Sequence, residues 1–238
     1  MKELRRNYEM KSLELENLAV EPIAQFERWF DEAQAVERPD WLEINAMTLA
    51  TYDKSAQQVA ARIVLLKFVD DRGFTFFTNY DSDKGRQLGA HPQASLVIYW
   101  PHVERQVRVQ GHVTLTDAAT STRYFHARPR ASQLGAAASH QSTPVADRQV
   151  LEQEVARLDA LYQGIEVPRP DAWGGYVLRP TAVEFWQGRR DRLHDRFLYR
   201  QIDDEAAQTG QGVYSGLDGG RKISAAAATR WTIERLSP

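Results

Sequence analysis

The densest group of reactive side chains lies between Glu184 and Arg196. Glu184-Phe185-Trp186-Gln187-Gly188 is followed by Arg189, Arg190, Arg192 and Arg196, set against Asp191 and Asp195, with His194 among them. The whole chain has a formal net charge of only −2, so these guanidiniums form a local concentration. They suit a flat anionic ligand, because the planar arginine fork binds phosphate bidentately and stacks on rings. A solvated, salt-bridged hairpin is the competing reading of this segment taken alone. His194 stands between Arg192 and Arg196, and neighbouring cations disfavour a protonated imidazole. A neutral ring able to accept a proton near pH 7 is therefore expected there.

Three further sets lie upstream. Arg62-Ile63-Val64-Leu65-Leu66-Lys67 is an apolar strand with a cation at each end, a span of roughly 17 Å. On a regular strand Arg62 and Lys67 face opposite sides, so both meet one ligand only where the strand bends or the ligand wraps its end. A central strand with snorkelling ends fits the same residues. Thr78, Ser82 and Lys84 combine hydroxyls, a helix start and an ammonium, which is a phosphate-binding set, or else Ser82 is a simple cap. Gln141-Ser142 can supply more hydrogen bonds. Tyr124, Arg128 and Ser132 recur at every fourth position, one face of a continuous helix, although Pro129 interrupts it. They can stack on a ring and grip a phosphate, or form a surface ion pair.

Composition bounds the chemistry. The chain has 238 residues, 42% of them hydrophobic and 26% charged, and no cysteine. Thiolate catalysis, cysteine-ligated zinc and iron–sulfur clusters are thereby excluded, and a reducing compartment fits. The histidines at 91, 102, 112, 126, 140 and 194 show no metal-ligand spacing, so no metal site is expected. With a pI near 6.3, bulk attraction to nucleic acid is not expected. No signal-peptide pattern follows Met1, and no apolar run suits a membrane span. A cytoplasmic protein without membrane or nucleic-acid partners is the expectation.

Periodicity then places these residues on elements. Residues 1–20 read as an arm, and 21–238 as one domain. Pro22 opens a helix that buries Ile23, Phe26, Phe30 and Ala33. Strands follow at Ala46–Thr51, Val59–Val69 and Phe74–Thr78, with Asp70-Asp71-Arg72-Gly73 as a hairpin turn. Ser82 caps a helix over Asp83–His91. Ala94–Trp100 and Gln106–Leu115 are strands, and the second sets Val107, Val109 and Val113 against Gln106, Arg108, Gln110 and His112. Helices are expected at Asp117–Arg128, Ser132–Ala138 and about 147–163, and strands at Tyr176–Gln187, Phe197–Ile202 and Trp231–Leu236. The segment 203–229, rich in Gly, Ala, Gln and Ser, reads as a mobile insertion. Tight turns between strands, with helices in blocks, predict a mainly β fold: an antiparallel barrel with accessory helices.

Ten segments in this order resemble the pyridoxamine 5′-phosphate oxidase family. They are Leu4-Arg5-Arg6-Asn7-Tyr8, Phe26-Glu27-Arg28-Trp29, Arg62–Lys67, Phe77-Thr78-Asn79, Glu104–Val107, Tyr124–Arg130, Gln141-Ser142, Trp173-Gly174-Gly175, Phe185–Gly188 and Arg192–Tyr199. The resemblance implies an FMN-binding split β-barrel homodimer with two flavin sites at the subunit interface. It implies oxidation of pyridoxamine and pyridoxine 5′-phosphates to pyridoxal 5′-phosphate by O2, with release of peroxide. By motif, FMN contacts would be Arg62, Ile63, Val64, Leu65, Leu66, Lys67, Phe77, Thr78, Lys84, Gln106, Gln141, Ser142, Trp186 and Arg196. Substrate contacts would be Lys67, Tyr124, Arg128, Ser132, Arg192, Leu193 and His194, with Arg5, Arg6, Asn7 and Tyr8 closing over them. Arg192 and His194 would be catalytic. Two positions depart from the family pattern. Asp83 stands where arginine is common, which weakens phosphate binding unless its carboxylate turns outward, and Phe77 stands where tyrosine is often seen. A split-barrel protein that binds flavin or deazaflavin without oxidase activity is the alternative. The Tyr124/Arg128/Ser132 and Arg192/His194 sets separate the two, because they serve only a phosphorylated substrate.

Overall fold

Apolar residues alternate along most of the strand segments, and pairing them in antiparallel order buries one face. The computed structural model describes residues 8–202 and 231–238. The insertion expected at 203–229, and Arg5, Arg6 and Asn7 of the arm, lie outside the described residues. Five helices and nine strands are described: α1 (Pro22–Ala35), β1 (Ala46–Asp53), β2 (Gln58–Leu65), β3 (Phe68–Asp70), β4 (Gly73–Asn79), α2 (Asp83–Ala90), β5 (Gln93–Trp100), β6 (Arg105–Leu115), α3 (Ala118–Ala127), α4 (Arg130–Ala138), α5 (Arg148–Leu161), β7 (Trp173–Gln187), β8 (Asp195–Gln201) and β9 (Trp231–Arg235).

The sheet runs β2-β1-β5-β6-β7-β4-β3, and β8 and β9 continue from β7. β7 is the strand that splits it. β6 pairs along one side of β7 for almost its whole length. On the other side, β4 takes Trp173–Leu178 and β8 takes Ala182–Gln187. The pairing is antiparallel throughout, and the result is a split barrel with helices against it.

α1 begins at Pro22, where the missing N–H costs nothing. It buries Phe26, Trp29 and Ala33. The Phe26 ring stands edge-on to Phe74 at 4.9 Å, and that of Trp29 to Phe185 at 5.2 Å. Each large side chain so buried contributes about 1.5–3 kcal/mol. A second cluster joins Phe125, Leu134, Leu158, Val167 and Trp173 beneath α3–α5. Both clusters brace the strands that carry the site.

The alternation expected on β6 holds. Val107, Val109 and Val113 are buried, while Arg108, Gln110 and His112 are exposed. One expected element is corrected: Val59–Val69 is two strands, not one. β2 stops at Leu65 because Leu66 turns its side chain into the core. Asn45 holds this break from both sides. Its carbonyl accepts the Leu66 N–H at 2.8 Å, and its Nδ2 donates to the Leu66 carbonyl at 3.1 Å. Lys67 N–H then bonds to the Thr75 carbonyl, also at 2.8 Å, which starts the β3–β4 hairpin.

Candidate active site

A first cluster forms where β2, β4 and the start of α2 meet. Ser82 caps α2, its Oγ accepting the Gly85 N–H. The cap leaves Lys84 in the first turn, close to the end of β4. The Lys84 ammonium donates to Gln141 Oε1 at 2.7 Å, Thr78 Oγ1 at 3.0 Å and Ser82 Oγ at 3.2 Å. Ser142, at φ 69°, accepts the Asp83 N–H on its Oγ at 3.2 Å. Arg62 reaches in from β2 to Thr51 Oγ1 at 2.6 Å and Gln87 Oε1 at 3.0 Å. Burial, followed by the Arg62 charge, pushes the Lys84 ammonium down to about 8. Neither cation makes an ion pair within 4 Å with a described carboxylate; both rest on neutral oxygens. The exposed Asp83 carboxylate pairs with Arg86, and its charge still acts on Arg62 and Lys84 through space. Two half-buried cations that rest on neutral oxygens at a helix N-terminus fit a phosphate.

A second cluster adjoins the first through Phe77, the neighbour of Thr78. Phe77, Tyr124 and Trp173 lie near-parallel in a triangle, with Phe77 4.1 Å from Tyr124 and 5.5 Å from Trp173, and the latter two 6.2 Å apart. The Arg128 guanidinium lies over the other part of this stack, 4.8 Å from the Trp173 ring centre. Its Nη1 is buried and has no hydrogen-bond partner among the described residues, a costly arrangement unless a ligand supplies an acceptor. Tyr124, Arg128 and Ser132 do not share one continuous helix. α3 ends at Ala127, Arg128 caps it, and Pro129 leads into α4, where Ser132 sits in the first turn.

The third cluster lies at the far end of β7. Gln106, Trp186 and Arg196 pair across β6, β7 and β8 in one row, so they share a face. Tyr8 and His194 complete it. The Trp186 and His194 rings are 4.7 Å apart, and Tyr8 stands edge-on to both at 5.5 and 5.6 Å. Gly188 makes room for Tyr8: a Cβ there would lie 2.7 Å from its ring. The arm is tied down by Glu104 Oε2, which accepts the N–H groups of Glu9 and Met10 at 2.8 and 3.1 Å. Arg190 pairs with Glu9 at 2.7 Å. Asp191 and Arg192 turn the chain through φ 55° and 64°, a conformation that costs about 1–3 kcal/mol per residue and clusters at functional sites. Arg192 and Leu193 are exposed.

The proton-accepting role expected of His194 needs correction. Burial, then the charges of Arg192 and Arg196, hold its pKa below the ordinary value, so the ring is neutral as expected. Its Nδ1, however, accepts the Arg189 N–H at 3.1 Å. The neutral ring must then carry its proton on Nε2, which is a donor and not a free base.

The run from Ile63 to Lys67 divides between faces. Leu66 is a core residue, 6% exposed, so its side chain is withdrawn from the sheet surface and only its main chain is left for a ligand, while Val64 is partly buried against the core. Ile63 faces outward, 65% exposed. Lys67 stands apart from Arg62, in a hollow with Glu27, Asp31 and Asn45 between α1 and β3. Among the described residues no three His, Asp or Glu gather as a metal site, and no helix is long and apolar enough to cross a membrane.

Comparison with known proteins places the chain in a family. Residues 32–162 match the family described as pyridoxamine 5′-phosphate oxidase. Residues 173–238 match the pyridoxine 5′-phosphate oxidase C-terminal dimerisation region. The chain belongs to the pyridoxamine 5′-phosphate oxidase family. A pyridoxine/pyridoxamine 5′-phosphate oxidase of Cyanothece sp. is 48% identical over 236 residues, which cover 99% of this chain and 97% of the relative. Among solved structures, PhzG from Burkholderia lata, in complex with tetrahydrophenazine-1-carboxylic acid, superposes with a TM-score of 0.79 at 27% identity. That match covers 98% of this chain and 100% of PhzG. A pyridoxamine 5′-phosphate oxidase-related, FMN-binding protein from Nostoc punctiforme shares the fold, with a TM-score of 0.65 at 15% identity over 93% and 100% of the chains.

Within this oxidase-family chain, sequence reasoning missed four site residues. Thr51 and Gln87 anchor Arg62, Trp173 carries Arg128, and Glu184 holds Arg196. Gln87 had a local signal, one helical turn after Lys84. Thr51 had none, because its contact crosses the β1–β2 ladder.

Proposed function

We propose that this chain is an FMN-dependent oxidase that converts pyridoxamine and pyridoxine 5′-phosphates to pyridoxal 5′-phosphate. Dioxygen is the acceptor, hydrogen peroxide is a product, and ammonia leaves from the amine. The observation that carries the reading is the pair of separate cationic grips. Arg62 with Lys84 suits one phosphate, and Arg128 with its unpartnered Nη1 suits a second, beside an aromatic stack. A flavin phosphate and a substrate phosphate need both.

Bound flavin would supply the two-electron chemistry; the chain supplies binding and orientation. Thr78, Lys84, Gln141 and Ser142, with Arg62, hold the cofactor phosphate, and the main chain at 63–67 borders it. Tyr124, Arg128 and Ser132 hold the substrate phosphate, and Lys67 stands next to Phe68, whose ring meets Tyr124 at 5.5 Å. Gln106, Trp186 and Arg196 face the ring system. Arg192 positions substrate and offsets negative charge. His194 donates from Nε2, and the arm with Tyr8 excludes water.

The first and third clusters do not meet within one chain. Thr78 pairs with Gly174, and Trp186 lies twelve residues further along β7, a contour of roughly 40 Å. We infer a homodimer in which each site joins the first two clusters of one copy to the third cluster of the other. The match to a dimerisation region supports this. Anaerobic addition of pyridoxine 5′-phosphate to the flavin-loaded protein tests the activity. An oxidase bleaches its flavin absorbance and recovers it on admission of air; a flavin binder without the activity stays yellow throughout.

A further inference from the structure

Glu184 is a buried carboxylate that the proposed chemistry leaves without a task. Alternation along β7 sends Phe185 into the core and puts Glu184 on the opposite face with Trp186. Its side chain is 8% exposed, and it accepts from Arg108 Nη1 at 3.1 Å and from Arg196 Nε at 2.9 Å. A carboxylate buried this deeply is costly unless cations compensate it. Beside an anionic cofactor it would also repel, so its presence asks for a purpose.

The geometry around Arg196 supplies one. Arg196 belongs to the row of Gln106 and Trp186, whereas Glu184 pairs one row away with Arg108 and Leu198. Its guanidinium therefore leans along the sheet to reach the carboxylate. From the far side, Nη1 donates to the Ser237 carbonyl at 2.9 Å. The Leu236 N–H returns a bond to the Arg196 carbonyl, also at 2.9 Å. Two of the three guanidinium nitrogens are thus fixed by protein acceptors, which sets the plane of the fork. Nη2 has no partner among the described residues.

We propose that Glu184, together with the Ser237 carbonyl, is a positioning residue that locks Arg196 beside Trp186 and leaves Nη2 free to donate to the flavin. The proposal rests on the reading that Arg196 contacts the cofactor. It gives the last residues of the chain a role in the site and explains why a carboxylate is tolerated on that face. The clamp acts before the ligand arrives, so it lowers the ordering cost of binding.

The test uses the full chain stripped of flavin and titrated with FMN, read by quenching of flavin fluorescence. Glu184→Gln keeps the shape and removes the charge, and a second variant ends the chain after Leu236. Each should raise the FMN Kd about tenfold, the effect of losing a charge-assisted bond. Glu184→Gln should also shift the bound flavin's reduction potential positive, because two arginines lose their compensating carboxylate. In an Arg196→Ala background, Glu184→Gln should change the Kd by no more than about twofold, since the interaction is already gone. Equal losses in both backgrounds would mean a merely structural role and overturn the proposal. So would an unchanged Kd in the otherwise native chain while Arg196→Ala alone weakens binding. If Arg196→Ala itself leaves FMN binding intact, the cofactor assignment of Arg196 falls and the clamp falls with it.

Discussion

Lys84 shows how a single residue can report on the ligand it would hold. Burial and Arg62 hold its pKa at about 8, below the ordinary lysine value, so its charge is lost as pH rises through 8. A bound phosphate would favour the ammonium and raise that pKa. FMN affinity should therefore weaken above pH 8, by up to about tenfold per pH unit. Titrations of the flavin-free chain across that range check this, and a Kd independent of pH would remove Lys84 from the phosphate site. Arg128→Ala should raise the KM for pyridoxine 5′-phosphate about tenfold or more, because it deletes a charge-assisted bond, while FMN binding is unchanged. Arg192→Ala should abolish turnover and keep the flavin. Wild-type turnover in that variant would strip Arg192 of its role.

At the scale of elements, the decisive features are ends and breaks more than the bodies of helices and strands. The Ser82 cap fixes where Lys84 stands, and the Leu66 break separates Lys67 from Arg62. Ser82 was legible in the sequence, because capping is a local hydrogen bond between near neighbours. The Leu66 break was not. Asn45 imposes it from another segment, and the β-branched run continues through it without a signal. The arm is also an element-scale device, held by the Tyr8 ring packed on Gly188. Gly188→Ala should lift that ring, since no side chain fits in the gap. Limited trypsin digestion should then cut faster after Lys11, and the substrate KM should rise. Digestion at the native rate would show that the arm does not depend on this contact.

At the scale of the whole molecule, the separation along β7 predicts complementation between subunits. A chain carrying Arg62→Ala lacks the first cluster, and one carrying Arg192→Ala lacks the third; neither should be active alone. Unfolded together and refolded, half of the dimers are mixed, and each mixed dimer holds one intact site. About a quarter of wild-type activity should return. If no activity returns although mixed dimers form, each site lies within a single chain.

The strands, the helix starts and most of the side chains that could bind phosphate are readable from the residue order. They follow from periodicity, capping and residue type, which act between near neighbours. Which of them meet is settled by the folded chain. It brought Thr51 to Arg62 across the β1–β2 ladder, placed Leu66 in the core, and set Trp173 under Arg128. It also turned His194 so that the Arg189 N–H occupies Nδ1, and so made a donor of an expected acceptor. These outcomes depend on register and on contacts far apart in the chain, and such contacts leave no trace in the spacing of either partner.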